Sequence, residues 1–411
     1  MAQQTLNVFL GEALVGELKQ DSAGVMRFQY ASSWLDSLEA EPLSASLPLR
    51  NKRFSRNETR PFFSGVLPEE ESRRLIARAF GISANNDFAL LARIGAECAG
   101  AVSLLSPGEL PSEGRPSYQE ISEEGLAERL RRLSQRPLLV GEKGIRLSLA
   151  GAQHKLAIKI SGGRFFLPLD GSPSSHIIKP QNPHFPGLVE NEYFCMKLAA
   201  RAKLDTARVE VCEVEGVRFL QVSRYDRCPL PDARIARLHQ EDFCQALGIP
   251  PERKYEQEGG PGCQHCFDLV RSLSTTPGPD LLRLFDTVVF NVLIGNGDAH
   301  GKNFSLLRKP GSVRLAPLYD LISTQAYPGL AREMAMRIGG ERDPQRLTAK
   351  NWSAFFDRTG MSRASAQRRL LATANRVLAS ARQLAHEKHL GSDVILPIVQ
   401  ENFVRLTSHK G

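Results

Sequence analysis

The sequence predicts an α+β protein in which strands and helices are segregated along the chain, and three observations carry that expectation. Residues 5–31 read as short, partly alternating strands and are followed by helical spacing up to about residue 106. Residues 145–225 read as mostly sheet with one helix. Helices dominate after residue 239. At 411 residues the chain is too long for one simple core, so two or three domains are expected, each burying its own interior.

The chain opens with candidate strands at Leu6–Leu10, Ala13–Leu18 and Val25–Tyr30, separated by Gly11 and by Asp21–Gly24. Pro42–Pro48 is an extended or turn segment. Pro68 followed by Glu69, Glu70 and Glu71 reads as a helix start, because carboxylates in a first turn complement the helix dipole and proline is tolerated there. Leu75, Ile76, Ala79 and Phe80 keep helical spacing behind it, and a second helix covers Asp87–Ile94. Residues 107–120 are rich in Pro, Gly and Ser and predict a linker, followed by a charged helix, Ser122–Leu133. From residue 145, strands are expected at Ile145–Leu149, Lys155–Ile160, Phe165–Leu169 and His176–Lys179. A helix at Glu190–Ala202 and a hairpin of Val209–Val214 with Val217–Val222 complete this region.

Composition narrows the function classes. No apolar run approaches the roughly 18 residues of a membrane span, and the N-terminus lacks the basic-then-apolar pattern of a signal peptide, so a cytoplasmic protein is expected. Seven cysteines, an odd number mostly occurring singly, fit free thiols in a reducing compartment. Cys263 and Cys266 have CxxC spacing, but no second pair lies at zinc-finger distance, so the ligand set is incomplete. The net charge of +8 is spread along the chain and suits nucleotide, nucleic acid or an acidic partner without choosing among them.

The strongest chemical signal is the run Asn296-Gly297-Asp298-Ala299-His300-Gly301-Lys302-Asn303, which follows an apolar helix, Leu281–Ile294, and precedes a strand at Phe304–Leu307. Asp320 comes 17 residues after Asn303. Phosphoryl transfer needs positioning and charge neutralisation more than covalent chemistry: a carboxylate to orient the attacking hydroxyl, and oxygen ligands for the magnesium that bridges the phosphates. Asp298 suits the first task, and Asn303 and Asp320 suit the second. This is the order of the catalytic and metal loops of protein kinases. The plain alternative is a turn whose Asn, Gly and Asp serve the backbone.

Two further signals are weaker. Ser148-Leu149-Ala150-Gly151-Ala152-Gln153 places small residues between two expected strands, where backbone N–H groups can approach phosphate oxygens, although a tight hairpin turn would look the same. Lys179, on an apolar strand, is a candidate phosphate contact, with Glu192 as a candidate ion partner; a solvated lysine before Pro180 is the alternative. Gln221, Ser223 and Tyr225 would then lie on a segment joining two lobes, where backbone groups can pair with an adenine edge.

Taken together, these residues resemble the HipA family of bacterial serine/threonine kinase toxins, over nearly the whole chain. The likeness includes Pro42–Pro48, Phe63–Glu69, Ile94–Ala101, Leu149–Lys155, Lys179-Pro180, Glu190–Glu192, Ser223–Arg227, Leu238–Phe243, Asn296–Asn303 and Leu318–Asp320. The resemblance implies a two-lobed protein kinase-like fold with an added N-terminal α+β subdomain. Its expected parts are residues 1–106, a linker and helix over 107–140, a sheet-rich lobe over 141–225 and a helical lobe over 226–411. It implies Asp298 as the catalytic residue, Asn303 and Asp320 as magnesium ligands, and ATP contacts from Ala150, Gly151, Ala152, Gln153, Lys179, Gln221, Ser223, Tyr225 and His300. Ser148 matches the serine that family members autophosphorylate to switch themselves off; a phosphate there would repel those of ATP. Ser223 stands where an acidic residue is usual in the family, which matters only if that side chain helps to hold adenine. Family members pair with a small helix-turn-helix antitoxin of HipB type, which binds operator DNA, and they phosphorylate an aminoacyl-tRNA synthetase. A small-molecule or lipid phosphotransferase, or a corepressor scaffold without chemistry, remain alternative readings of the same residues.

Overall fold

The structure is a computed structural model that describes residues 4–112, 115–151, 153–232 and 234–408. It contains both strands and helices and divides into two compact units. The first comprises residues 1–180, 212–251 and 307–309; the second comprises residues 181–211, 252–306 and 310–411.

In the first unit, β1 (Gln4–Leu10), β2 (Ala13–Gln20) and β3 (Met26–Tyr30) form an antiparallel meander, with β4 (Val102–Leu105) added beside β1. Alternation is clear in β3, where Met26, Phe28 and Tyr30 are buried and Arg27 and Gln29 are not. These side chains pack with Phe54, Phe62 and Phe63 into one aromatic core. Phe62 and Phe63 belong to α1 (Arg56–Gly65), a helix that Pro61 obscures in the sequence. It is started by a capping box in which Ser55 and Glu58 satisfy each other's backbone N–H groups. The two expected helices come next as α2 (Glu70–Ala79) and α3 (Asp87–Ile94).

The expected linker over 107–120 is in part a strand. β5 (Ser117–Ile121) pairs in register with β7 (Arg164–Leu169) at the edge of a six-stranded sheet. α4 (Glu123–Arg132) comes after it, capped by Ser122. The sheet order is β5-β7-β6-β8-β10-β9, with β6 at Leu156–Ser161, β8 at His176–Pro180, β9 at Val209–Val214 and β10 at Val217–Ser223. Ile145–Leu149, expected as a strand, is an extended segment held by single bridges instead: Leu147 to Glu97, and Gly151 to Pro68. Its backbone partners lie on the N-terminal segments, so it has no ladder of its own to join.

A buried ionic cluster closes this unit. Glu97 pairs with Arg224 at 2.9 Å and Arg227 at 2.6 Å, while Asp226 pairs with the same two arginines at 2.8 and 2.9 Å. Burial pushes the Glu97 carboxyl up, but Arg224 and Arg227 outweigh it and hold the group below its ordinary value. Gly100 donates its N–H to Asp226 at 2.8 Å, and a Cβ there would lie 2.8 Å from the backbone nitrogen of Gln240.

The second unit is helical: α5 (Leu188–Arg201), α6 (Cys263–Leu273), α7 (Pro277–Ile294), α8 (Ala349–Arg358), α9 (Arg363–His386) and α10 (Ser392–Ser408). Phe267, Phe285, Trp352, Phe355 and Phe356 interlock in its core. Cys263 and Cys266 are buried on α6, with Cys266 Sγ 3.7 Å from Met336 Sδ. Among the described residues no cysteines form a disulfide. No described helix is long and apolar enough to cross a membrane.

Candidate active site

The loop after α7 is built by its own polar side chains. Gly295 ends the helix in the left-handed region (φ +65°), donating its N–H to the carbonyls of Asn291 and Val292. Asn296 is held by its amide against Asn291 Oδ1 at 3.0 Å, and its Oδ1 accepts the N–H of Asp298 at 3.0 Å. The carbonyl of Asp298 then accepts two donors, the His300 N–H and the Asn303 Nδ2, each at 2.8 Å. That bond fixes the Asn303 amide. Its Oδ1 has no protein donor among the described residues, which leaves an oxygen lone pair for a cation.

Asp320 is reached through β11 (Ser305–Lys309) and β12 (Ser312–Leu315). Leu318 is pinned on both sides, donating to Asp205 at 2.8 Å and accepting from Ala207 at 2.9 Å. Asp320 itself has φ +52°, a left-handed conformation uncommon outside glycine and asparagine. Tyr319 ties the two loops together. Its hydroxyl donates to the carbonyl of Lys302 at 2.8 Å and lies 2.6 Å from the hydroxyl of Ser305. The residue before Asp320 is therefore bonded to the residue before Asn303.

Three more groups complete the frame: Thr324 and Tyr255, to which the sequence does not point, and Asn191, which lies in the Glu190–Glu192 segment but has no role assigned from it. Thr324 Oγ1 accepts the Gly297 N–H at 2.7 Å and donates to the Gly295 carbonyl at 3.0 Å. Asn191 on α5 exchanges two hydrogen bonds with the backbone of Ser323, at 2.8 and 2.9 Å. Tyr255 donates to Asp298 Oδ1 at 2.5 Å. Spacing could not have found Tyr255, which lies 43 residues before the aspartate it touches. His300 stands edge-on to the Tyr255 ring at 5.1 Å, and its Nε2 is 3.9 Å from Asp298 Oδ1, beyond hydrogen-bond range.

The remaining sequence candidates lie in the first unit. Lys179 is 4 % exposed on β8, opposite Leu220 of β10. Gln221 and Ser223 face Ile178 and His176 in the same register. Tyr225 donates to Gln240. The segment Gln221–Tyr225, expected to join two lobes, lies within this unit, and the chain leaves it at Pro251. Ala150 accepts from Lys155 Nζ at 2.6 Å, and the chain then enters β6, where Leu156 faces Ile178. Gly151 has φ +99° and Gln153 is half-buried, while Ala152 lies outside the described residues. Ser148 is fully buried; its hydroxyl donates to the Val66 carbonyl at 2.7 Å and its N–H to the Glu97 carbonyl at 2.8 Å.

Among the described residues no cluster of three or more His, Cys, Asp and Glu side chains could hold a metal ion alone. The pair expected from the sequence, the Asp320 carboxylate and the Asn303 amide oxygen, would fit magnesium, which keeps most of its ligands as water and substrate phosphate.

Comparison with known proteins decides the family. Residues 147–383 match the model of the HipA-like C-terminal domain, and residues 6–105 match that of the HipA N-terminal domain. The chain belongs to the HipA family. The serine/threonine-protein kinase toxin HipA of Shewanella oneidensis is 32% identical over 371 residues, covering 87% of this chain and 84% of that protein. The protein Y4mE of Sinorhizobium fredii is 47% identical over 374 residues, covering 90% and 89%. Among solved structures, the Shewanella oneidensis MR-1 complex of HipA, HipB and operator DNA matches with a TM-score of 0.81 at 29% identity, over 98% of this chain and 96% of that one. The α+β kinase-like fold of HipA is thus the fold of this chain.

Proposed function

We propose that this HipA-family chain is an ATP- and Mg2+-dependent protein serine/threonine kinase of toxin–antitoxin type. The observation that carries the reading is the Tyr319–Lys302 bond, which holds the Asp320 turn against the Asn303 loop, beside Asp298. In the proposed reaction Asp298 accepts the proton of a substrate hydroxyl as its oxygen bonds to the γ-phosphorus. The bond from phosphorus to the β–γ bridging oxygen breaks, and ADP leaves. Asn303 and Asp320 would hold the magnesium ion, which neutralises phosphate charge when bound. Ala150–Gln153, Lys179, Gln221, Ser223, Tyr225 and His300 are assigned to the nucleotide by family resemblance.

Replacing Asp298→Asn should lower transfer of labelled phosphate from ATP to cell-extract protein by about 100- to 10,000-fold, the range for loss of a general base. Wild-type activity in that variant would remove the assignment, and label appearing on metabolites instead of protein would favour a small-molecule phosphotransferase. Ser148 is proposed as an autophosphorylation site. Its hydroxyl is sealed against Val66, so modification requires the extended segment to detach. Mass spectrometry of active protein should find phosphate on Ser148 and none in Ser148→Ala. A HipB-type antitoxin, operator DNA reached through it, a translation component such as an aminoacyl-tRNA synthetase as substrate, and a cytoplasmic location complete the proposal.

A further inference from the structure

We infer that Tyr255 is a positioning residue for the catalytic aspartate, locking one carboxylate oxygen so that the other faces the substrate hydroxyl. The inference rests on the kinase reading above. The Tyr255 hydroxyl donates to Asp298 Oδ1 at 2.5 Å, and among the described residues no other donor reaches that carboxylate. His300 Nε2 is too far away at 3.9 Å. The tyrosine is itself well held. Its carbonyl accepts the N–H groups of Glu258 and Gly260 at 3.0 and 2.9 Å, and its ring meets the edge of His300. The preceding residue grips the same loop, since the Lys254 carbonyl accepts the Gly301 N–H at 3.4 Å.

A carboxylate free to rotate presents its oxygens in many directions, and small misplacements of a catalytic group are costly in rate. With Oδ1 occupied, rotation is stopped and Oδ2 remains to accept the proton. The bond is to the reacting group and not to the nucleotide, so its loss should appear in the chemical step.

The test compares wild type, Tyr255→Phe, Asp298→Asn and protein carrying 3-fluorotyrosine at position 255, with cell-extract protein as acceptor and ATP varied. Tyr255→Phe is expected to lower apparent kcat by about 10- to 100-fold, with KM for ATP and the thermal unfolding temperature unchanged. 3-Fluorotyrosine, which restores a hydroxyl donor on the same ring, is expected to recover the rate. Unchanged or increased kcat in Tyr255→Phe, or a loss appearing only in KM, would overturn the assignment while the kinase reading stands. Wild type that transfers no phosphate to protein would remove both.

Discussion

At Asp320 the backbone is held in an unusual conformation. A left-handed conformation at a non-glycine residue persists only where the surroundings enforce it, and here Leu318 and Tyr319 are both pinned. Asparagine tolerates that conformation, so Asp320→Asn should unfold within about 0.5 kcal/mol of wild type while phosphotransfer is lost. Equilibrium unfolding beside a radiolabel assay separates the two effects. His239 offers a second residue-level expectation. Burial, helped by Arg308, holds its imidazole down to about 4, and it donates Nε2–H to the Leu43 carbonyl as the neutral form. The unfolded chain takes up this proton near the ordinary histidine value, about 6.5, while the folded chain does not until about 4. This contribution is complete above 6.5 and is lost as pH falls from 6.5 toward 4. It amounts to at most about 3 kcal/mol. Urea unfolding at pH 7 and pH 5 should show a smaller stability difference in His239→Gln than in wild type.

At the level of elements, the Asn296–Asn303 loop is held by its own polar side chains and also by the segment beyond Asp320. Gly297 has no room for a side chain, since a Cβ would sit 2.9 Å from the Glu333 carbonyl and 3.0 Å from Thr324 Oγ1. Thr324→Val removes the acceptor of the Gly297 N–H while keeping the shape, so kcat should fall about 10-fold or more and hydrogen exchange at residues 295–298 should quicken. Unchanged exchange there would show that the loop holds itself. These tertiary bonds also mark the limit of what the sequence reveals. Asp298, Asn303 and Asp320 stood out as candidates because their order and types are those that phosphoryl transfer asks for, and the sequence also foretells that they lie on loops flanking a strand pair. The helices at 70–79 and 87–94 were legible because first-turn carboxylates and periodicity are local signals. The α1 capping box of Ser55 and Glu58 was equally local but was masked by Pro61. β5 was hidden because an edge strand next to a Pro- and Gly-rich stretch has no apolar alternation of its own; only Ile121, at its end, is buried. The segment around Ser148 misled in the opposite direction, carrying alternation without a strand ladder.

On the scale of the whole molecule, the match to the N-terminal family domain does not mark a detachable module. Glu97, inside that match, supplies the carboxylate for Arg224 and Arg227, inside the other match. Removing one partner of a buried ion pair costs about 3–5 kcal/mol, because the remaining charge is left uncompensated. Glu97→Gln should therefore lower unfolding free energy by about 3 kcal/mol. A chain lacking residues 1–105 should give no cooperative unfolding transition. A soluble, cooperatively folding 106–411 fragment would contradict this. The crossing of the chain between units has a consequence for biosynthesis. Glu241 is fully buried, which pushes its carboxyl above the ordinary value, and Arg308, 2.7 Å away, opposes that push; Arg308 is the centre of the three-residue segment that the late chain returns to the first unit. On the ribosome, the front of this protein must wait for residue 308 to emerge before this buried carboxylate is matched, so the first unit made is not the first unit finished.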